Sequence, residues 1–359
     1  MRWTEGRTEI SFDAGSFPAK VGGVDVENPV WLAPLAGITI PPVRSFFRRL
    51  GAGLVHTEMV SCAGLVHGSR KTFSMLRTAD GERPVVLQLF AADTENLLEG
   101  ARTALDRSSF EALGVNMACP MPKVTRRGAG SGLLERPEIA AAMVKALVRL
   151  GLPVWVKIRK PPMTSPMDTL AFSGMLLEAG ASHVCIHGRQ PSQKYGGKAD
   201  SSVVLGAARA FPGRIAASGD IFTPGDAKRM LDGGCSAVFV ARGAFRDPFL
   251  VPEILNHCGF PVDPGNLADS PVSRMDLMIS LGERILSEEG EKAAIVLLKR
   301  FLSGIFRGLY GASRFRQAVS RSSSWGEMRA ALEEWKASPE RGEQCDRRET
   351  FRRDRSPGG

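Results

Sequence analysis

The residues best suited to chemistry lie in the segment 116–123, which reads Asn-Met-Ala-Cys-Pro-Met-Pro-Lys. Cys119 follows an apolar run (112–116) that predicts a buried strand. The rings of Pro120 and Pro122 fix the backbone and remove two donors, so the loop after the strand is stiff enough to aim a side chain. A thiol is mostly protonated at neutral pH. Cys119 can therefore act as a general acid.

Two other roles are open to Cys119. A cysteine in a cytosolic protein can be no more than a small buried hydrophobe. A nucleophilic role would need a nearby base or cation, such as His187, to form the thiolate. The stretch 128–134, Gly-Ala-Gly-Ser-Gly-Leu-Leu, favours a functional role, because the packing of a single strand does not require so long a glycine-rich loop.

Short apolar, β-branched runs alternate with helical patterns along the chain. Continuous apolar runs of this kind predict parallel strands covered on both faces, at Pro29–Ala33, Leu54–Thr57, Val85–Leu89, Ala112–Asn116, Val154–Ile158, His183–Ile186, Ile215–Ala217 and Ala237–Val240. Helices are predicted between them, at Pro42–Leu50, Thr94–Asp106, Pro137–Leu150, Met167–Ala179, Ser201–Ala210 and Pro224–Gly233. Eight such strands predict a TIM (β/α)8 barrel. A doubly wound open sheet is the alternative, but no Gly-x-Gly-x-x-Gly follows the first strand.

The C-terminal ends of the strands carry the chemistry of such a barrel. Polar or glycine residues lie within or just after the C-terminal end of every predicted strand, which predicts one shared active-site mouth. In chain order these candidates are Pro34, Leu35 and Ala36 with Gly37 after the first strand, Glu58 after the second, Gln88 in the third, Asn116 and Cys119 at the fourth, Lys157 and Arg159 at the end of the fifth, His187 and Arg189 after the sixth, Ser218, Gly219 and Asp220 after the seventh, and Ala241 and Arg242 after the eighth.

The same residues resemble the sequence blocks of the tRNA-dihydrouridine synthases, flavin enzymes that reduce uridine in RNA to 5,6-dihydrouridine. The Cys119 segment and the glycine-rich stretch resemble that family's Asn-x-x-Cys-Pro-x-Pro-Lys-Val and Gly-Ala-Gly-x-x-Leu-Leu. Further resemblance runs through Ala33–Thr39, Thr57–Met59, the block from His187-Gly188-Arg189 to Asp200, Ser218–Ile221 and Ala241–Gly243. The resemblance extends from about residue 28 to about residue 320.

The resemblance implies an FMN enzyme with NADPH as electron donor and tRNA as substrate. Hydride would pass from the reduced flavin to carbon 6 of uracil, and Cys119 would protonate carbon 5. Two departures touch the implied cofactor site: Ser218 replaces an asparagine of the family, and Ala241 replaces a glycine. The first shortens one contact, and the second is acceptable unless that position needs a positive φ.

Isolated polar groups at strand ends are costly to bury without partners, and a flavin supplies partners. Small residues at 34–36 allow a close backbone approach to the ring system, and Gln88 offers both a donor and an acceptor to its pyrimidine edge. Lys157 can place a cation near N1 and O2, where negative charge builds on reduction. An ion pair with Glu58 is its alternative role. His187 is expected to bind the flavin or the uracil carbonyl, with a core position as the alternative. The loops after strands seven and eight, with Ser218, Gly219, Asp220, Ala241 and Arg242, are expected to hold the phosphate.

A uridine stacked in folded RNA must be flipped out to reach a barrel floor. Asn116 and Arg189 are expected to contact the substrate, and Lys123, Arg126 and Arg127 to hold the flanking phosphates. From Lys292 to Arg321 there are seven basic residues and no acidic one, including Arg300, Arg314 and Arg316. A stretch of one sign indicates a polyanion partner. A basic surface without a partner is the alternative.

Bulk properties narrow the class of protein. A hydrophobic fraction of 43% and a charged fraction of 24% are ordinary for a soluble globular chain of 359 residues. The N-terminus has no apolar core of signal-peptide length, and no run is long enough to span a bilayer, so a cytoplasmic protein is expected. The net charge is +9. The six scattered cysteines lack a Cys-x-x-Cys pair, which argues against a zinc site or a disulfide framework.

The pattern changes after about residue 260. A Pro/Gly/Asp-rich linker (263–271) precedes apolar positions at helical spacing, and the last residues are charged with almost nothing apolar. The expected organisation is an N-terminal extension (1–20), an FMN-binding barrel (21–260), a helical RNA-binding domain (273–335) and a disordered tail (338–359).

Four functions stay in view at this point. The first is reduction of uridine in tRNA, and the second is the same reaction on ribosomal RNA. The third is another flavin barrel oxidoreductase, such as a dihydroorotate dehydrogenase, whose motif also contains Asn-x-x-Cys-Pro. The fourth is a non-catalytic RNA-binding protein on a former enzyme scaffold. The basic helical region argues against the third, and the intact Cys119, Lys157 and His187 argue against the fourth.

Overall fold

The computed structural model describes residues 14–262, 271–305 and 312–337. Most of the predicted N-terminal extension, nearly all of the linker, the whole of the predicted tail and Arg307 lie outside these residues. The chain divides into two compact units, residues 1–243 with 250–262 and residues 244–249 with 263–359.

Eight parallel strands of the first unit form the barrel. The strands of this unit are β1 Ala19–Val21, β2 Val24–Val26, β3 Val30–Leu32, β4 Val55–His56, β5 Val60–Ser61, β6 Val85–Phe90, β7 Ala112–Met117, β8 Val154–Arg159, β9 His183–His187, β10 Ile215–Ser218 and β11 Ala237–Val240. Adjacent pairing in the barrel runs in the order β3, β11, β10, β9, β8, β7, β6, β4, and the ring closes where the Leu32 N–H donates to the Leu54 carbonyl at 2.9 Å. The predicted TIM barrel is confirmed.

Helices connect the strands and cover the outside of the ring. Helices begin at the predicted residues Thr94, Pro137, Ser201 and Pro224, whereas the helix predicted from Met167 begins at Thr169. Asp93, Asp168 and Asp200 each accept a backbone N–H at a helix N-terminus, and Pro137 and Pro224 stand in first turns. The helices of this unit are Pro41–Arg49, Cys62–Val66, Arg70–Ser74, Thr94–Leu105, Pro122–Thr125, Pro137–Val148, Thr169–Glu178, Ser201–Ala210, Pro224–Asp232 and Leu250–His257, with 3-10 turns at Ala14–Ser16, Gly130–Glu135 and Pro191–Gln193. A further helix, Arg242–Arg246, starts in this unit and continues into the other.

An antiparallel hairpin, β1 with β2, packs against the apolar residues that fill the lower barrel. Trp31 and Trp155 stack inside the ring with centroids 5.0 Å apart. A hydrogen bond joins this hairpin to the barrel, since the Gly22 carbonyl accepts the Trp155 indole N–H at 2.8 Å. The lower half of the barrel is therefore a packed core, as expected for a ring of eight strands.

The inward side chains become polar toward the carboxyl ends of the strands. Alternate residues of a strand face the same side, and in β8 the inward set runs Trp155, Lys157, Arg159. Register aligns Lys157 with Cys185 and with Asn116, and Arg159 with His187. The polar residues of neighbouring strands therefore lie at the same height, above the tryptophan layer.

The second unit is helical in its described part, with helices Pro271–Glu289, Glu291–Ile305, Ala312–Arg321 and Trp325–Ala337. Its core contains Met278, Leu298, Met328 and Leu332, all with 0% exposure. Trp325 packs so closely on Gly282 that a Cβ there would lie 2.0 Å from the ring. In neither unit does a described helix have both the length and the apolar character required to cross a membrane.

Candidate active site at the carboxyl end of the barrel

Cys119 lies two residues beyond the end of β7 and is 9% exposed. The side-chain oxygen of Asn116 accepts the backbone N–H groups of Ala118 at 3.1 Å and of Cys119 at 2.9 Å. The Ser131 N–H donates to the Cys119 carbonyl at 3.0 Å. The glycine-rich stretch thus supports the cysteine directly, and Gly130 allows the contact, since a Cβ there would lie 2.7 Å from that carbonyl.

Arg159 joins the Cys119 loop to the loop after β9. Its Nε donates to the Ala118 carbonyl at 2.8 Å, and its Nη1 donates to the Lys194 carbonyl at 2.7 Å. Its guanidinium also lies 5.6 Å from the ring centroid of Tyr195. Sequence reasoning placed Arg159 at a strand end without a role, because its two partners are distant in sequence.

Lys157 projects into the barrel mouth, with Nζ 3.3 Å from the Ser218 hydroxyl oxygen. Burial lowers the pKa of Lys157. Cys185 opposes this shift, the charge of Arg159 adds to it to a smaller extent, and Cys119 opposes it least. A cation held in such surroundings gains strongly from a negatively charged partner. Glu58, its alternative partner in sequence analysis, accepts the backbone N–H of Gly37.

His187 is neutral in this site. Burial, together with the charges of Lys157, Arg159, Arg189 and Arg242, lowers its pKa to about 2. The Arg189 Nη1 lies 3.3 Å from His187 Nε2. Because a guanidinium can only donate, Nε2 is the acceptor and the neutral ring carries its proton on Nδ1. His187 therefore retains one donor for a ligand.

Asp220 is the centre of a charged network at the end of β10. Its carboxylate accepts two hydrogen bonds from Arg189 and one from Arg242, all at 2.8 Å, and one from the Ala199 N–H at 2.8 Å. Burial opposes ionisation of Asp220, but the hydrogen bonds and the arginine charges outweigh it and hold its pKa below the usual value. Asp220 has a φ of +55°, a conformation stabilised only by strong local contacts.

Arg189 is 2% exposed, and its other hydrogen bonds go to the carbonyls of Gly196 at 3.0 Å and Gly197 at 2.7 Å. Its guanidinium thus holds the loop 190–199 and Asp220, which is a supporting position below the surface. Arg242 also supports this loop, since its guanidinium lies 5.0 Å from the Tyr195 ring centroid. Tyr195 is 54% exposed, so it forms part of the rim of the mouth.

The side chain of Gln88 shows whether the residues of the site suit a flat polar cofactor. Its side chain is buried, and its Nε2 has no hydrogen-bond partner among the described residues. Gly114 on β7 leaves room beside it, because a Cβ there would lie 3.2 Å from Nε2. A buried donor without a partner costs about 1–3 kcal/mol. A flavin edge with acceptors would satisfy it, so the residues present fit the group that the sequence implies.

The loop 34–39 after β3 forms another wall. Ala36 and Gly37 are exposed, and no described atom lies within 4 Å of a Cβ placed on Gly37. Gly219 follows β10, two strands away from β3 around the ring, with φ +105°, and a Cβ there would be 2.5 Å from the His187 ring. Both glycines therefore allow a ligand or a neighbouring ring to approach the backbone closely.

Apart from the buried Arg189, the cations predicted to contact RNA are exposed. Lys123, Arg126 and Arg127 lie on the short helix and turn that follow Cys119. In the helical unit Arg300, Arg314 and Arg316 are exposed as well. Arg314 lies 3.6 Å from Glu334, whereas Arg316 borders a cavity of about 250 Å³ together with Lys299, Leu302, Ser303, Val319 and Ser320.

Among the described residues, no cluster of three or more histidine, cysteine or acidic side chains could hold a metal ion. The described cysteines are free, and burial raises the pKa of Cys185 to about 11 and that of Cys235 to about 12. These two buried thiols are therefore inert core residues.

A parallel barrel with cations, a neutral histidine and a supported thiol at its carboxyl end defines the class as a TIM-barrel enzyme. The family Dihydrouridine synthase (Dus) matches residues 31–339. The chain belongs to the dihydrouridine synthase family, and it is an enzyme of this type.

Individual relatives agree with this family. The chain is 28% identical to a probable tRNA-dihydrouridine synthase of Mycobacterium tuberculosis, over 88% of this chain and 84% of that one. It is 32% identical to probable tRNA-dihydrouridine synthase 1 of Synechocystis, over 66% and 67%, and 27% identical to tRNA-dihydrouridine synthase B of Xanthomonas campestris, over 85% and 92%.

Solved structures share the fold at lower identity. The old yellow enzyme from Trypanosoma cruzi superposes with a TM-score of 0.50 at 14% identity, over 69% of this chain and 92% of that chain. Morphinone reductase gives a TM-score of 0.51 at 16% identity, over 72% and 94%. At such identities the likeness supports the barrel fold alone.

Proposed function

We propose that this protein reduces uridine to 5,6-dihydrouridine in tRNA, with FMN as cofactor, NADPH as electron donor and Cys119 as the proton donor. Family membership supports the reaction class. The single observation that carries the assignment of Cys119 is its fixed backbone: Asn116 accepts its N–H, Ser131 donates to its carbonyl, and Arg159 donates to the carbonyl of the preceding Ala118.

The cofactor would lie across the barrel mouth. Pro34, Leu35 and Ala36 would border its ring system, and Gln88 would donate its unpaired amide N–H to the pyrimidine edge. Lys157 and His187 would face the side where negative charge develops on reduction. Ser218, Gly219, Asp220, Ala241 and Arg242 would surround the phosphate, with Arg242 supplying the charge. The bound flavin supplies hydride for transfer to carbon 6 of uracil.

Cys119 would hold the proton destined for carbon 5 of uracil. General acid catalysis needs a donor within hydrogen-bond reach of the atom that it protonates. The Asn116 side chain fixes the cysteine backbone, so in this proposal Asn116 orients the acid as well as lining the substrate pocket. Burial in a largely apolar cluster with Val124 and Ala129 keeps water away from the thiol.

The RNA would be held outside the pocket by exposed cations. Lys123, Arg126 and Arg127 stand beside Cys119, where phosphates flanking a flipped uridine would lie. The region 273–335, with Arg300, Arg314 and Arg316, would bind the rest of the RNA, while the region 21–260 carries the chemistry. Arg189 is assigned to support of the pocket, because its guanidinium is engaged by Asp220, Gly196 and Gly197. A tRNA substrate would place the protein in the cytoplasm.

The test uses purified full-length protein, FMN and NADPH with unmodified tRNA transcripts. We expect stoichiometric flavin binding and dihydrouridine at defined positions, detected by mass spectrometry. Parallel reactions with ribosomal RNA fragments and with orotate test the other substrates. Reduction of orotate instead of RNA, or RNA binding without flavin binding, would contradict the proposal.

A further inference from the structure

We propose that a buried ion pair, Arg44 with Glu82, and the hydroxyl of Thr39 form a positioning device for the loop 34–39. This inference rests on the proposed function, since that loop would border the flavin. None of the three side chains would touch the cofactor. They act through the backbone of the loop.

Arg44 and Glu82 are 1% and 0% exposed. Arg44 Nε and Nη2 each donate to a carboxylate oxygen of Glu82 at 3.0 Å, which is a two-point contact. The remaining donors reach backbone carbonyls: Nη1 donates to Thr39 at 2.6 Å and Nη2 to Arg77 at 2.7 Å. The pair thus joins the end of the loop 34–39 to the segment that precedes β6.

Thr39 carries this constraint into the loop. Its hydroxyl oxygen accepts the Leu35 N–H at 3.1 Å and donates to the Leu35 carbonyl at 3.2 Å. The backbone N–H groups of Ile38 and Thr39 donate to the same carbonyl. At the tip, Gly37 donates its N–H to the Glu58 carboxylate. The loop is therefore fixed at its start, its tip and its end, while Ala36 and Gly37 stay exposed toward the mouth.

The energetics explain why such a pair suggests positioning. Burying two charges is expensive, and well-packed apolar residues in place of a buried pair are often as stable or more stable. What an apolar pair cannot do is donate directed hydrogen bonds to chosen carbonyls. Arg44 places one of these bonds on the loop itself. We therefore expect the network to affect the shape of the cofactor wall more than the overall stability.

The first test compares Thr39→Val with Thr39→Ser in the full-length protein. Valine keeps the shape but leaves the Leu35 N–H without its partner, and serine restores the hydroxyl. We expect the FMN dissociation constant of Thr39→Val to rise by about fivefold to tenfold, with a shifted flavin absorption band, and Thr39→Ser to resemble the wild type. At a temperature where each variant is folded, a flavin fluorescence titration measures the dissociation constant, and an absorption spectrum measures the position of the band.

Ser173→Ala serves as the matched control, because Ser173 is also 0% exposed and its hydroxyl donates to the Thr169 carbonyl at 2.7 Å, within an outer helix. Its FMN affinity and flavin spectrum should equal those of the wild type, whatever the change in its melting temperature. Arg44→Lys, which retains the charge but cannot make all four contacts, should weaken FMN binding like Thr39→Val.

A wild-type FMN affinity and spectrum in Thr39→Val, with only the melting temperature lowered, would overturn the positioning role. If wild-type protein bound no FMN at all, the proposed function itself would fail. The two failures are therefore distinguishable in one titration.

Discussion

A few hydrogen bonds fix the backbone around Cys119. One side-chain oxygen of Asn116 accepts two consecutive backbone N–H groups and thereby holds the chain that follows β7. The sequence places Asn116 and Cys119 three residues apart, which makes this local contact predictable. The support from Arg159 is not predictable in the same way, because it joins residues 41 positions apart.

Glycine residues offer a residue-scale test of the packing. A Cβ on Gly188 would lie 2.3 Å from the Asp200 carbonyl, whereas a Cβ on Gly206, within the helix Ser201–Ala210, would meet nothing within 4 Å among the described residues. We expect Gly188→Ala to destabilise the protein by about 1–3 kcal/mol. Gly206→Ala should stabilise it by about 0.5–1 kcal/mol. Urea unfolding measures both, and equal effects would show that the backbone near Asp200 can relax.

At the scale of elements, the sequence predicted the barrel strands closely. The eight predicted strands are present, and Ala237–Val240 has the predicted bounds. Apolar, β-branched runs are informative here because both faces of each strand are covered. The hairpin β1–β2 was not predicted, since three-residue strands with a charged residue in the middle carry no clear periodicity.

Side chains that meet across elements were harder to predict. Arg44 and Glu82 lie 38 positions apart, and their pairing depends on how a helix packs beside a loop. Arg189 was expected to contact RNA because it follows β9, but its guanidinium points to Asp220 and to two loop carbonyls. The exposed fraction of an arginine at a strand end depends on the length and conformation of the next loop. The conformation of that loop cannot be predicted from the sequence alone.

The barrel interior predicts a loss of stability in mild acid. Burial lowers the pKa of His56 and of His183 to about 3 from 6.5. The unfolded chain therefore binds protons at a higher pH than the folded one, so stability present above pH 6.5 is lost as the pH falls toward 3. The free energy of unfolding should fall by up to about 1.4 kcal/mol per pH unit for each histidine.

Urea unfolding between about pH 7 and pH 5 measures this loss before most carboxylates titrate. His183→Gln should reduce the slope, and the matched variant His257→Gln should not, because His257 is exposed. An unfolding free energy that is constant across this range would contradict the neutral buried state of these histidines.

At the scale of the whole molecule, the net charge of +9 is distributed unevenly along the chain. Seven cations occur between residues 292 and 321 without an acidic residue. The structure adds a distinction that the sequence does not show, since Glu334 lies 3.6 Å from Arg314. The positive charge of Arg314 is therefore partly offset by the carboxylate of Glu334. Arg316 has no ion pair among those found in the described residues.

Charge removal tests this distinction. Arg316→Gln should weaken RNA binding and reduce the salt dependence by about one phosphate contact, without loss of flavin. Arg314→Gln should have a smaller effect. Arg329→Gln is the control in the same helical unit, because Arg329 lies 2.9 Å from Glu283. Binding measured across a salt series would show unchanged slopes for all three variants if this region does not touch RNA.

The most direct test of the central claim is the dihydrouridine content of cellular RNA. The gene would be deleted, and dihydrouridine would be mapped by mass spectrometry in separated tRNA and ribosomal RNA. We predict that dihydrouridine is lost at one or more tRNA positions, restored by the wild-type gene and not by Cys119→Ala, although the variant protein still binds FMN. Full dihydrouridine at every position in the deletion strain, or restoration by Cys119→Ala, would contradict the account.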